Sequence, residues 1–104
     1  MDGMTSSPFE LLWTPEGKED AEKIKRDSAK VGLQKQLKKA LTHLSQNPNH
    51  PGLKSHPLQG SEKDFGAKLF TSYVQNNTPQ AHRILWIYGP KTKQITIVAI
   101  IAHY

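Results

Sequence analysis

The sequence predicts an α+β fold: two N-terminal helices packed on an antiparallel sheet of about four strands, in the order β-α-α-β-β-β. Three observations predict it. Leu33, Leu37, Ala40, Leu41 and Leu44 recur at helical spacing while Gln34, Lys35, Lys38 and Lys39 fall between them. Near the end, "AHRILWIY" and "QITIVAIIAH" are apolar runs joined by only "GPKTK", which reads as an antiparallel hairpin. At the start, Phe9, Leu11 and Trp13 alternate with Glu10 and Leu12, the two-residue period of a strand.

In chain order, residues 1–8 read as a flexible N-terminus and the first strand begins at Phe9. "TPEGKEDAEKIKRDSAK" is predicted as the first helix, with Thr14 as N-cap, Pro15 at the first helical position, and Glu16, Glu19 and Asp20 beside the positive end of the helix dipole. Its apolar face is Ala21, Ile24 and Ala29, and a break near Gly32 lets the second helix fold back. Asn47 and Pro48 end that helix. "NPNHPGLKSHPLQGSEKDFG" has no period and reads as a long loop, and long loops in compact domains are commonly functional. "AKLFTSYV" resumes the strand signal before the terminal hairpin. In the last strand Ile95, Ile97, Ala99 and Ile101 fall on one face and Val98, Ile100 and Ala102 on the other, which fits a strand covered on both sides.

At 104 residues the chain is read as a single domain, 1–104. The absence of cysteine excludes a disulfide framework, thiolate metal sites and a cysteine nucleophile. No basic leader precedes an apolar run, and no apolar stretch approaches the roughly 18 residues that span a bilayer, so no membrane partner is expected and the location expected is the bacterial cytoplasm. The net charge of +5 conceals an asymmetry: residues 1–27 hold seven acids against four lysines and arginines, and residues 28–104 two against ten. A positive charge gathered in one part suits a polyanion such as nucleic acid, or a solvated lysine face.

The candidate chemistry lies in three places. His103 and Tyr104 end the last strand and supply a proton carrier, a hydroxyl and a stacking ring, or simply close the strand. Arg83 lies in an apolar strand, where a guanidinium can grip phosphate, snorkel from the edge, or pair with Glu10; His82 points to the other face. In the loop, His50, Lys54 and His56 suit phosphate contact and proton transfer, or are solvated turn residues; their spacing matches no zinc turn, and no metal or other cofactor is expected. Lys68 joins His50 and Lys54 as an expected RNA contact. No glycine-rich phosphate loop, no G-x-S-x-G and no acidic cluster for magnesium is present, since Glu62 and Asp64 are the only acids after residue 27. RNA cleavage here would therefore use the substrate's own 2′-hydroxyl.

"LKKALTHLSQNPNHPGLKSHPLQG", "TPQAHRILWIYGP" and "QITIVAIIAHY" together resemble the RelE/ParE superfamily of toxins from bacterial toxin–antitoxin modules, from about Phe9 to the C-terminus. Histidine then arginine opening a strand, and a closing histidine and tyrosine, are similar to the YoeB-like subgroup. The resemblance implies a RelE-like fold and a ribosome-dependent mRNA endonuclease, with an acidic antitoxin, the ribosome and mRNA as partners. It implies that Arg83 stabilises the pentavalent phosphate, His103 protonates the leaving 5′-oxygen and Tyr104 positions the substrate. The pattern departs at His56, where these toxins place a glutamate as general base, and at Gln59, where lysine is frequent. A neutral histidine can accept the 2′-hydroxyl proton, which makes His56 the candidate base. The same fold also serves gyrase-directed ParE-like toxins, plasmid-maintenance proteins and non-catalytic binding members, so fold alone does not select among them. If Tyr88 pairs with Gln94, Arg83 stands opposite Ala99, with His103 roughly 13 Å further along and odd-numbered residues sharing a face.

Overall fold

The computed structural model describes residues 8–60, 66–75 and 81–102. The expected flexible N-terminus, apart from Pro8, and the terminal pair His103 and Tyr104 lie outside them. The order is β1 (Glu10–Trp13), α1 (Pro15–Arg26), α2 (Val31–Gln46), β2 (His56–Pro57), β3 (Phe70–Tyr73), β4 (His82–Tyr88) and β5 (Gln94–Ala102). The sheet has five strands in the order β1-β5-β4-β3-β2, with the two helices against one face. It is mixed rather than antiparallel, because β1 runs parallel to β5, and the fifth strand is the two-residue β2 inside the segment read as loop. Among the described residues no helix is long and apolar enough to cross a membrane.

Helix α1 starts as its sequence dictates. Thr14 has extended backbone, its Oγ1 accepts from the Gly17 amide, and Pro15 fills the first turn. Ala21 and Ile24 are buried, but Ala29 is exposed, because the helix breaks earlier than Gly32. Asp27 ends α1, its Oδ1 accepts from the Ala29 amide, and a single turn of 3₁₀ helix (Ser28–Lys30) leads into α2. Gln34 then reaches back and donates to the carbonyls of Ile24, Lys25 and Asp27 at 2.9–3.2 Å, satisfying groups that a helix end leaves open. Leu33, Leu37, Ala40 and Leu44 bury the face of α2 that their spacing predicted.

The core joins these residues to Ile84 and Trp86 of β4 and Ile95, Ile97 and Ile100 of β5. Ile95, Ile97 and Ile100 are not in simple alternation, and a β-bulge is the reason. Tyr88 pairs with Ile95, not Gln94, and the register shifts again between Leu85 and Trp86, which pair with Ala99 and Ile97 and leave Val98 as the extra residue. A one-residue slip alone would have put Arg83 opposite Ile100 and reversed its side; the second shift restores the side and brings Arg83 opposite Ile101.

Helix α1 holds this bulge. Strand β1 pairs with β5 only as far as Trp13 and Ile97, and beyond that point α1 satisfies the β5 edge. The Thr14 amide donates to Ile97 O at 3.0 Å and Thr14 Oγ1 donates to Val98 O at 2.8 Å. Two successive carbonyls thus turn toward one threonine, which a regular strand does not permit. Two residues on, the Ile100 amide donates to Asp20 Oδ2 at 2.9 Å. Such proximity requires Gly17, where a Cβ would stand 2.6 Å from Ile97 O.

Gly17→Ala is therefore expected to destabilise the fold by about 1–3 kcal/mol despite alanine's better helix propensity, because the obstruction is backbone. Chemical denaturation compared with Gly32→Ala, where a Cβ meets nothing within 4 Å, checks this.

Candidate functional site

The segment after α2 is a chain of small turns. Asn47 Oδ1 accepts from the Asn49 amide, and the amides of His50 and Leu53 donate to Asn47 O and His50 O. His50 Nδ1 accepts from the Gly52 amide at 3.0 Å, so the proton of the neutral ring sits on Nε2. Leu53 is fully buried and anchors the turn, and Lys54 takes a left-handed conformation with φ 49°. That inversion aims the Lys54 carbonyl at the His56 ring, 3.0 Å from Nδ1. A carbonyl only accepts, so Nδ1 carries a proton and Nε2 of neutral His56 keeps its lone pair.

A polar chain ties this loop to the sheet. Ser55 Oγ donates to Pro48 O at 2.8 Å and lies 2.6 Å from Ser72 Oγ. The buried Trp86 Nε1 donates to Ser72 Oγ at 2.7 Å. Since the Ser55 proton is committed to Pro48, the Ser72 hydroxyl donates to Ser55, and each oxygen gives one bond and receives one. Strand β2 follows at once, His56 opposite Thr71.

Thr71 and Tyr73 share one face of β3, and Tyr73 pairs with Arg83. His56, Tyr73 and Arg83 therefore gather on the sheet face away from the helices. The His56 and Tyr73 rings are 6.5 Å apart, Arg83 Nη2 donates to Tyr73 OH at 3.1 Å, and the guanidinium carbon lies 4.6 Å from the ring centre. Arg83 has no carboxylate partner among the described residues. Glu10, the alternative partner considered for it, instead accepts from Gln94 Nε2 at 3.0 Å on the other end of β5. The Arg83 Nε–H is buried with no hydrogen-bond partner among the described residues, and so is Thr71 Oγ1. A buried unpaired donor is costly, and one on a guanidinium that shares a sheet face with a histidine fits an anionic ligand.

The other expected residues are distributed differently. Lys54 contributes its carbonyl while its side chain is exposed, and Lys68 is exposed just before β3. His50 stacks on His43 with ring centres 3.9 Å apart, beside Tyr73 but not against Arg83. His82 meets Gln75 Oε1 through its ring and its amide. No three His, Cys, Asp or Glu side chains come together among the described residues. Tyr73 was missed in the sequence; its signal was the alternation of "LFTSYV", which places it on the side of Thr71 rather than with Phe70 and Ser72, which face Trp86.

Burial, then the neighbouring His50 and Lys39, holds the His43 ring below its usual 6.5. A lowered histidine value means that the unfolded chain binds the proton more readily, so this contribution to stability is present above pH 6.5 and is lost as the pH falls below it. The denaturation midpoint should drop between pH 7.5 and 5.5, and His43→Gln should flatten that slope. Separately, Ser72→Ala leaves the Trp86 N–H unpaired and is expected to cost about 1–3 kcal/mol, with faster amide exchange at Leu53 and Ser55 than at core positions of α2.

No protein-family model and no curated protein matches the sequence. Solved structures do match the fold. A YoeB/ParE toxin from Agrobacterium tumefaciens superposes with a TM-score of 0.69 at 19% identity, over 91% of this chain and 99% of that one. A YoeB from Staphylococcus aureus, solved as a dimer, gives 0.66 at 14% identity, over 94% and 100%. A metal-bound toxin from Helicobacter pylori gives 0.64 at 16% identity, over 91% and 94%. With its helical hairpin on a five-stranded sheet, this chain has the fold of the YoeB/ParE toxins.

Proposed function

We propose that the chain is the toxin of a bacterial toxin–antitoxin pair and a ribosome-dependent, metal-independent mRNA endonuclease. The observation that carries this reading is Arg83: a guanidinium steadied by Tyr73, with a buried Nε–H unpaired among the described residues, on the same sheet face as a histidine whose Nε2 is kept as an acceptor. The basic surplus of residues 28–104 supports a polyanionic substrate and an acidic antitoxin.

In the proposed reaction His56 Nε2 takes the proton from a ribose 2′-hydroxyl, and that oxygen attacks the adjacent phosphorus. Arg83 neutralises the charge that accumulates on the phosphate oxygens. The P–O5′ bond breaks, the leaving oxygen takes a proton from His103, and the products are a 2′,3′-cyclic phosphate and a 5′-hydroxyl. Tyr104 positions the substrate. Histidine thus does the work of the glutamate that the YoeB-like pattern has at this point, with its tautomer set by the Lys54 carbonyl.

Expression of the protein alone in bacteria, followed by mapping of mRNA 5′ ends, tests this. Codon-phased cuts are expected, reduced about 10²-fold or more by Arg83→Ala, His56→Ala or His103→Ala. Altered plasmid supercoiling with intact mRNA would instead support a ParE-like action on gyrase. Growth unaffected by expression would leave a binding protein without toxicity.

A further inference from the structure

Tyr73 has a second neighbour. A cleft of about 600 Å³ lies between α2, the 3₁₀ turn Pro51–Leu53 and the end of β3, with Lys39, His43, His50, Tyr73 and Gln75 on its walls. We propose that this cleft is a second phosphate subsite, holding the phosphodiester next to the one gripped by Arg83 on a single-stranded RNA. The inference rests on the reading of Arg83 as a phosphate ligand, and it extends the substrate beyond a single linkage.

The polarity of the walls points to an anion. His50 has its acceptor nitrogen occupied by the Gly52 amide, and Gln75 has its carbonyl oxygen occupied by His82. What they keep for a ligand is an imidazole N–H and an amide NH₂, and Lys39 adds an ammonium. None of the described residues lining the cleft is acidic. The groups facing His43 across the cleft are thus Gln36 and Lys39 from its own helix, His50 from the turn, Tyr73 from β3 and Gln75 just after it. A phosphate seated there would offset the repulsion that Lys39 and His50 exert on a protonated His43. Tyr73 lines this cleft, and its hydroxyl and ring also meet the Arg83 guanidinium, so one residue at the end of β3 borders both.

Binding of two end-labelled, 2′-O-methylated RNAs tests the subsite without cleavage: a dinucleotide with one phosphodiester and a hexanucleotide with five, measured by fluorescence anisotropy at several salt concentrations. Lys39→Gln should weaken the hexanucleotide about tenfold, leave the dinucleotide unchanged, and lower the salt slope by about 0.7, the value for one phosphate contact on a single strand. Lys38→Gln, the same charge change on another side of α2, should leave that slope unchanged. The ring-proton signals of His43 and His50 should move with the hexanucleotide only. Equal effects of the two lysine variants, or equal loss for both RNAs with Lys39→Gln, would overturn the subsite while leaving Arg83 in place. If Arg83→Ala alters neither RNA, or neither RNA binds, the Arg83 reading fails and the adjacent subsite falls with it.

Discussion

The structure depends on how the edge of β5 is satisfied beyond Ile97. Strand β1 is too short to follow β5 to its end, and a buried backbone edge without partners is not tolerated. Helix α1 takes over with two side chains, Thr14 on the Val98 carbonyl and Asp20 on the Ile100 amide, and comes close enough to do so through Gly17. The bulge at Val98 is the geometric result of that exchange, and the bulge decides which residue of β5 stands opposite Arg83. A helix cap on one side of the sheet thereby sets the register of the candidate site on the other.

A second constraint works from the opposite edge. The loop after α2 carries few apolar residues with which to hold itself; among its described residues Leu53 and Pro48 are buried. Its shape comes instead from directed hydrogen bonds: histidine and asparagine side chains closing their own turns, and the serine pair reaching buried Trp86. These bonds deliver His56 to the sheet beside Tyr73. The two edges meet at Arg83, which α1 places through β5 and the loop approaches through β3.

Much of this was legible in the sequence where one residue's role is set by its near neighbours. The period of Leu33 to Leu44, the Thr14–Pro15 start and the hairpin around Gly89 follow from local rules. What was not legible depends on distant partners. Nothing in "ELLW" says whether its neighbour runs parallel or antiparallel, and nothing near Val98 resembles the glycine or proline that often marks a bulge; its cause is Thr14, 84 positions away. The two-residue strand at His56 is too short to show a period. At the site, the departure at position 56 was visible as a letter, but its chemical meaning required the left-handed backbone at Lys54 that fixes which ring nitrogen is bare.

The serine and tryptophan chain has a consequence for how such a sequence can drift. Each oxygen in it has its single proton committed and one acceptor site filled, so Pro48, Ser55, Ser72 and Trp86 form a line with one direction and no spare member. Replacing one link leaves a neighbour with an unanswered donor or acceptor, while replacing several together with apolar residues of matching shape is far less costly. Positions 55, 72 and 86 should therefore change in concert among descendants of this sequence, although 55 lies in a surface turn and 86 in the core.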